Sequence, residues 1–204
     1  MEPGRLKLAV LASGRGTNFL ALREAIQRGD LDAEICGLFS DQAGAPALDR
    51  AREMGVPALA IQPSAYPTRA DYETELVDKL RALDIAVVVL AGYMRLVGPV
   101  MLEAYKLRIV NIHPALLPAF AGLHAQRQAL EYGVKVSGCT VHFVDEGMDT
   151  GPIILQTVVP VFPEDSEESL SNRILVQEHH AYAQALQLLA EGRIYIEGRT
   201  IYIN

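Results

Sequence analysis

The chain has 204 residues, of which 50% are hydrophobic and 21% charged, so it is no disordered or low-complexity polymer and has enough material for a core without staples. Lys and Arg number 18 against 25 Asp and Glu, and the resulting net charge of −7 argues against a nucleic-acid partner while leaving room for one basic loop around a small anion. Cys36 and Cys139 are too few for a disulfide framework, and no apolar run approaches the ~20 residues that span a bilayer, so a soluble, cytoplasmic chain that binds no membrane is expected.

Leu6–Ala12 reads as a first strand ending in the small-residue loop Ser13-Gly14-Arg15-Gly16-Thr17-Asn18. Phe19, Leu22, Ala25 and Ile26 then recur at helical spacing until Gly29. Ala33–Phe39 is a second strand, Pro46–Met54 a short helix and Ala58–Ile61 a third strand. Thr68 and Asp71 have capping-box spacing, and Tyr72, Leu76, Leu80 and Leu83 form the stripe of the helix they open. The β-branched run Ile85–Leu90 predicts a central parallel strand covered on both faces. Pro99 starts a short helix, Arg108–Ile112 is a fifth strand, and helix signals return from Gly122 to Tyr132. Thr140–Val144 and Ile153–Val159 are further strands, Ser166 caps a long helix running towards Glu191, and Arg193–Ile203 folds as a hairpin around Glu197-Gly198. The alternation gives an α/β, three-layer fold without repeats or linkers, read as one domain over 1–204. Loops after the first, fourth and fifth strands then gather where open α/β sheets bind ligands.

Two clusters carry chemistry. The loop 13–18 joins a strand to a helix; its glycines let a backbone approach a bound group, and the helix start favours an anion. A plain helix cap, with Thr17 or Asn18 as the capping residue, is the alternative. The loop is neither a dinucleotide fingerprint, since Phe19 stands where the third glycine belongs, nor a Walker loop, and it suits a single phosphate. Asn111 and His113 lie two apart at a strand end, so they project together as an amide and an imidazole able to hold an oxyanion. Asp149, in the connection Asp145–Pro152, is a carboxylate able to orient the ring. The spacing of His113, His124, His142 and Asp149 matches no metal pattern, and Ser13 lacks the elbow of a nucleophilic serine.

Asn111-Ile112-His113-Pro114-Ala115-Leu116-Leu117-Pro118 resembles the NxHPSLLP signature of the folate-dependent formyltransferases. Gly14-Arg15-Gly16-Thr17-Asn18, Met148-Asp149-Thr150-Gly151-Pro152-Ile153, Gly122-Leu123-His124, Val141-His142-Phe143 and Gln177-Glu178-His179 match in the expected places and cover nearly the whole chain. The nearest likeness is to the branch that formylates glycinamide ribonucleotide. The resemblance implies a Rossmann-like formyltransferase fold, with a largely parallel sheet and an antiparallel C-terminal part. It divides the chain into a phosphate-binding half, about 1–100, and a folate-binding and catalytic half, about 101–204. It implies N10-formyltetrahydrofolate as co-substrate, no metal, small-molecule partners only, and a monomer or homodimer. Asn111, His113 and Asp149 match the catalytic trio; Gly14, Arg15, Gly16, Thr17, Asn18 and Glu178 match ribonucleotide-binding positions. Arg69, Leu90, Met94, Arg95, Leu96, Val97, Asp145 and Glu146 match folate-binding positions, and His142 and His124 match residues standing behind the catalytic ones.

The chain departs from the family pattern at Ala115, where Ser is usual, at Ala119 and Ala121, at Asp41, where Asn is expected, and at Leu175, where some members carry Lys. Arg15 is the residue able to replace that missing charge. Two rivals share the resemblance, and a third reading comes from a different class. A methionyl-tRNA formyltransferase carries an added tRNA-binding domain for which this chain is short and acidic. A formyltetrahydrofolate deformylase carries an added N-terminal domain, whereas the first strand here starts at Leu6. A non-catalytic nucleotide-binding module has no need of all three of Asn111, His113 and Asp149.

Overall fold

The computed structural model describes residues 4–204; residues 1–3 of the expected unit lie outside the described residues. Seven strands form one sheet: β1 (Leu6–Leu11), β2 (Ala33–Ser40), β3 (Ala58–Ala60), β4 (Val87–Leu90), β5 (Ile109–His113), β6 (Val136–Phe143) and β7 (Ile153–Pro160), in the order β3-β2-β1-β4-β5-β6-β7. The first five are parallel, while β6 and β7 are antiparallel to their neighbours.

The strands sort their side chains by the two-residue period of the pleat. Leu8, Val10 and Ala12 enter one cluster, with Phe19 and Leu22 of α1 (Thr17–Arg28), Leu48 of α2 (Pro46–Glu53), Ala129 of α5 (Ala125–Tyr132) and Ile174 and Leu186 of α6 (Glu167–Ala190). Ala9 and Leu11 enter the opposite cluster with Tyr72, Leu76 and Leu80 of α3 (Arg69–Ala82) and Met101 of α4 (Pro99–Ala104). Both faces are therefore covered, which is why β4 is apolar at every position. A C-terminal hairpin, β8 (Ile194–Glu197) and β9 (Thr200–Ile203), completes the described chain. The capping boxes at Thr68 and Ser166 both form, the second with Ser169 as its reciprocal partner, and each cap stabilises its helix by about 1 kcal/mol.

From β1 the chain runs outward to β2 and β3, then returns to β4 on the other side of β1. That reversal makes the C-terminal ends of β1 and β4 the switch point of the sheet, the place where open α/β sheets form their ligand crevice. Across it, the Ser13 N–H donates to the Gly92 carbonyl at 3.0 Å, bringing together the loops after the two strands. On the floor, the buried Tyr182 hydroxyl of α6 reaches the Leu90 and Val110 carbonyls at 2.9 and 2.8 Å.

Four local expectations change. The helix expected from Gly122 begins at Ala125, because Phe120, Gly122 and His124 have positive φ and keep the preceding residues in turns. The strand expected from Thr140 begins at Val136; Gly138 there lies so close to β7 that an added Cβ would sit 1.9 Å from the Thr157 carbonyl oxygen. β4 begins at Val87, two residues later than its apolar run. The residue capping α1 is Gly16, at φ 74°, rather than Thr17 or Asn18.

Candidate active site

The glycine loop is built for close approach. Gly16 packs against α2 so tightly that a Cβ would lie 2.8 Å from the Ala47 Cβ. No side chain caps α1 and no acidic residue stands in its first turn, so the positive end of the helix stays open to an anion. Arg15 is exposed, and its carbonyl accepts from the Arg50 guanidinium at 2.7 Å, which adds a second cation beside the loop. Asn18 is buried and its amide nitrogen donates to Glu178 at 3.0 Å, while its own side-chain oxygen is buried without a partner. Burial pushes the Glu178 carboxyl above the usual carboxylate range, against the opposing pull of the Asn18 hydrogen bond.

The loop after β4 is held from several sides. The Met94 N–H donates to the Ser13 hydroxyl at 2.9 Å, the Tyr72 and Tyr93 hydroxyls meet at 2.7 Å, and the Gly98 N–H donates to Glu73 at 2.6 Å. The Arg69 guanidinium donates to Glu73 at 2.9 Å and to the Leu96 carbonyl. Arg69, matched to a folate position, is thus engaged with the loop itself. Met94 and Leu96 are 71% and 61% exposed, apolar side chains held out beside the crevice, and the Arg95 guanidinium lies 5.7 Å from the Tyr72 ring centre. Leu90 is buried beneath them and Val97 is half-buried.

Asn111, His113 and Asp149 converge, and His142 joins them. Antiparallel pairing puts Asn111 opposite His142, and His113, two residues on, projects from the same face as Asn111. The Asn111 amide nitrogen lies 3.2 Å from His142 Nε2. His142 Nδ1 lies 2.8 Å from the Phe143 carbonyl, which can only accept; Nδ1 therefore carries the proton and Nε2 accepts from Asn111. Burial lowers the His142 pKa below the ordinary histidine range, with the Phe143 carbonyl working in the other direction. His113 Nδ1 is 3.3 Å from Asp149 Oδ2, and its Nε2 is 2.8 Å from the Phe120 carbonyl. Both ring nitrogens of His113 therefore face acceptors.

Asp149 is presented by a constrained turn. It adopts φ 56°, and Gly151 beyond it passes so near the Phe143 carbonyl that a Cβ would lie 1.8 Å away. Its Oδ2 accepts the Gly122 N–H at 2.8 Å, and its Oδ1 stands 3.7 Å from His142 Nε2. Asp145 folds back into its own turn, accepting from the Thr150 hydroxyl at 2.6 Å and the Gly147 N–H at 3.1 Å. Glu146 is exposed. His124 is also exposed, at the left-handed residue before α5, and makes no side-chain hydrogen bond with the cluster among the described residues. Sequence reasoning missed Ser13, Glu73 and the Phe120 carbonyl as parts of this framework. It missed the direct contact of His142 with Asn111 as well, although pairing the fifth and sixth strands antiparallel would have placed the two opposite.

A cavity of about 320 Å³ lies elsewhere, between the end of α1 and the C-terminal half of α6. Its arginines are already paired, Arg28 with Asp30 at 2.7 Å and Arg193 with Glu191 at 3.1 Å, and of the motif residues only His179 lines it. Among the described residues, no group of three or more His, Cys, Asp or Glu is arranged to hold a metal ion, and no helix is long and apolar enough to cross a membrane.

A family model described as formyl transferase matches residues 6–186. The phosphoribosylglycinamide formyltransferase of Bacillus subtilis (strain 168) is 43% identical over 183 residues, which are 90% of this chain and 94% of that protein. The trifunctional purine biosynthetic protein adenosine-3 of Drosophila pseudoobscura pseudoobscura is 45% identical over 93% of this chain, which spans only 14% of the length of that relative. The crystal structure of glycinamide ribonucleotide transformylase 1 from Symbiobacterium toebii superposes with a TM-score of 0.97 at 51% identity, over 99% of this chain and 95% of that one.

Proposed function

Since the chain belongs to the formyl transferase family, we propose that it transfers the formyl group of N10-formyltetrahydrofolate to the amine of glycinamide ribonucleotide, a step of purine synthesis, in the cytoplasm. The observation that carries the reading is the meeting of Asn111, His113 and Asp149, with Asp149 3.3 Å from the His113 ring and Asn111 anchored on His142.

In this reading the amine nitrogen attacks the formyl carbon and a tetrahedral oxyanion forms. The second amide N–H of Asn111, the one not directed at His142, donates to that oxygen. His113 Nε2 exchanges the Phe120 carbonyl for the same developing charge, while Asp149 supports the imidazolium from Nδ1. A preorganised donor of this kind contributes about 3–4 kcal/mol to lowering the barrier. The proton leaving the amine passes to folate N10, with Asp149 and water organising its path, as the bond from carbon to N10 breaks. The products are the formylated ribonucleotide and tetrahydrofolate. Holding both substrates in one crevice removes a further entropic penalty of roughly several kcal/mol.

Gly14, Arg15, Gly16, Thr17 and Asn18 take the phosphate at the open start of α1, and Arg15 and Arg50 supply the charge that Leu175 does not. Glu178 and the unpartnered oxygen of Asn18 face the ribose and amine, which bring donors. Met94, Arg95, Leu96 and Val97 offer backbone groups to the pteridine edge, with Leu90 as an apolar floor. Arg69 and Asp145 serve this subsite by shaping its two loops, and Glu146 lies at its open rim. On this division the phosphate is held by the 1–100 half and the chemistry is done by the 101–204 half.

The test is to mix the protein with both substrates and follow tetrahydrofolate release with and without the ribonucleotide. Release that requires the ribonucleotide is expected; equal release without it makes the protein a deformylase, and no turnover leaves it a binding module.

A further inference from the structure

We propose that Ser13 is a positioning residue that clamps the segment after β4 onto the glycine loop and thereby sets the folate subsite without touching the reacting atoms. The inference rests on the reading of residues 94–97 as the folate-contacting segment. Ser13 holds that segment at two points and in opposite senses. Its backbone N–H donates to the Gly92 carbonyl at 3.0 Å, and its hydroxyl oxygen accepts the Met94 N–H at 2.9 Å. Gly92 has φ 73°, so the chain turns between the two contacts and presents its next residues to the crevice.

The direction of the hydroxyl is fixed by its third partner. The Met94 N–H can only donate, so the Ser13 oxygen is the acceptor there and its own proton is free to donate elsewhere. It goes to Asp41 Oδ1 at 2.6 Å, a short charge-assisted bond. Asp41 is buried at the end of β2, and its other oxygen accepts from Gln42 at 3.1 Å. A carboxylate has no proton to offer, so the Ser13 hydroxyl cannot reverse. The asparagine expected at this position could instead donate to Ser13, which would leave the Met94 contact in place but the hydroxyl proton without a fixed acceptor. Asp41 therefore removes a freedom that the expected residue would allow. The ends of β1, β2 and β4 are joined through one side chain, at the point where the ribonucleotide loop and the folate loop meet.

Steady-state kinetics on Ser13→Ala and Ser13→Thr, together with amide hydrogen exchange at Met94, test the clamp. Ser13→Ala is expected to raise the KM for formyl-folate by about fivefold or more, while kcat and the KM for the ribonucleotide stay within about twofold. Ser13→Thr, which keeps the hydroxyl, is expected to stay near wild type. The Met94 amide, although in an exposed residue, is expected to exchange slowly in the wild-type protein and fast in Ser13→Ala. An unmoved formyl-folate KM, or both KM values rising together, overturns the proposal. Fast Met94 exchange in the wild-type protein overturns it even if Ser13→Ala does not fold. Absence of ribonucleotide-dependent turnover in the wild type is a different failure: it removes the functional reading, while Met94 exchange still reports whether the clamp exists.

Discussion

Asn111 and His142 face one another across the antiparallel pair β5–β6, and the Asn111 amide donates to His142 Nε2 at 3.2 Å. The ring is a one-way acceptor, because the Phe143 carbonyl holds the proton on Nδ1. The amide is consequently oriented before any substrate arrives, which is the preorganisation that an oxyanion site needs. His142→Phe keeps much of the volume and removes the acceptor. We expect kcat to fall by roughly tenfold or more with both KM values within about twofold, read by steady-state kinetics. An unchanged kcat would mean that Asn111 orients itself.

The same ring links stability to pH. Burial keeps folded His142 neutral below the ordinary histidine pKa. In the unfolded chain the ring takes up a proton as pH falls through about 6.5. The unfolded state then binds more protons than the folded one, so acid favours unfolding in that window. Wild-type protein should lose more stability than His142→Phe between about pH 7 and pH 5, measured as urea midpoints, with parallel curves above about pH 7.5. Parallel curves throughout would show that the folded ring titrates like a free one.

Asp149 accepts the Gly122 N–H at 2.8 Å and stands 3.3 Å from His113. Asp149→Asn keeps the shape and the left-handed tolerance of the position but loses the charge. Turnover is expected to drop by about a hundredfold or more while the thermal midpoint changes little. A variant within about twofold of wild type would remove the carboxylate charge from the chemistry.

Arg15 is exposed beside the open end of α1, with no acid in the first turn of that helix to neutralise it. Arg15→Ala should raise the KM for the ribonucleotide several-fold, roughly, with kcat unchanged, and the effect should shrink as salt is added. An unaltered ribonucleotide dissociation constant would assign the phosphate charge to Arg50 alone.

Much of this geometry is legible before folding. The Thr68 and Ser166 caps and the two-residue spacing of Asn111 and His113 are local patterns that form as read, and the apolar run of β4 forms a strand from Val87 onward. The start of α5 is not local in this sense, because Phe120 and His124 adopt positive φ without being glycine. Nor is the start of β6, where Ser137-Gly138-Cys139 looks unlike a strand and pairs because Gly138 permits close contact with β7. At the site, a family pattern assigns positions but not hydrogen bonds. Arg69 and Asp145 match folate positions by pattern alone, and only the folded chain shows that their charged groups also hold Leu96, Glu73, Gly147 and Thr150. His142 needed the strand register before its bond to Asn111 became visible.

The decisive measurement is the fate of an isotopically labelled formyl carbon. Supplied on the folate with unlabelled ribonucleotide, the label should appear on the ribonucleotide nitrogen in a one-to-one ratio with the tetrahydrofolate released. Label recovered as free formate, with the ribonucleotide unchanged, would contradict the account.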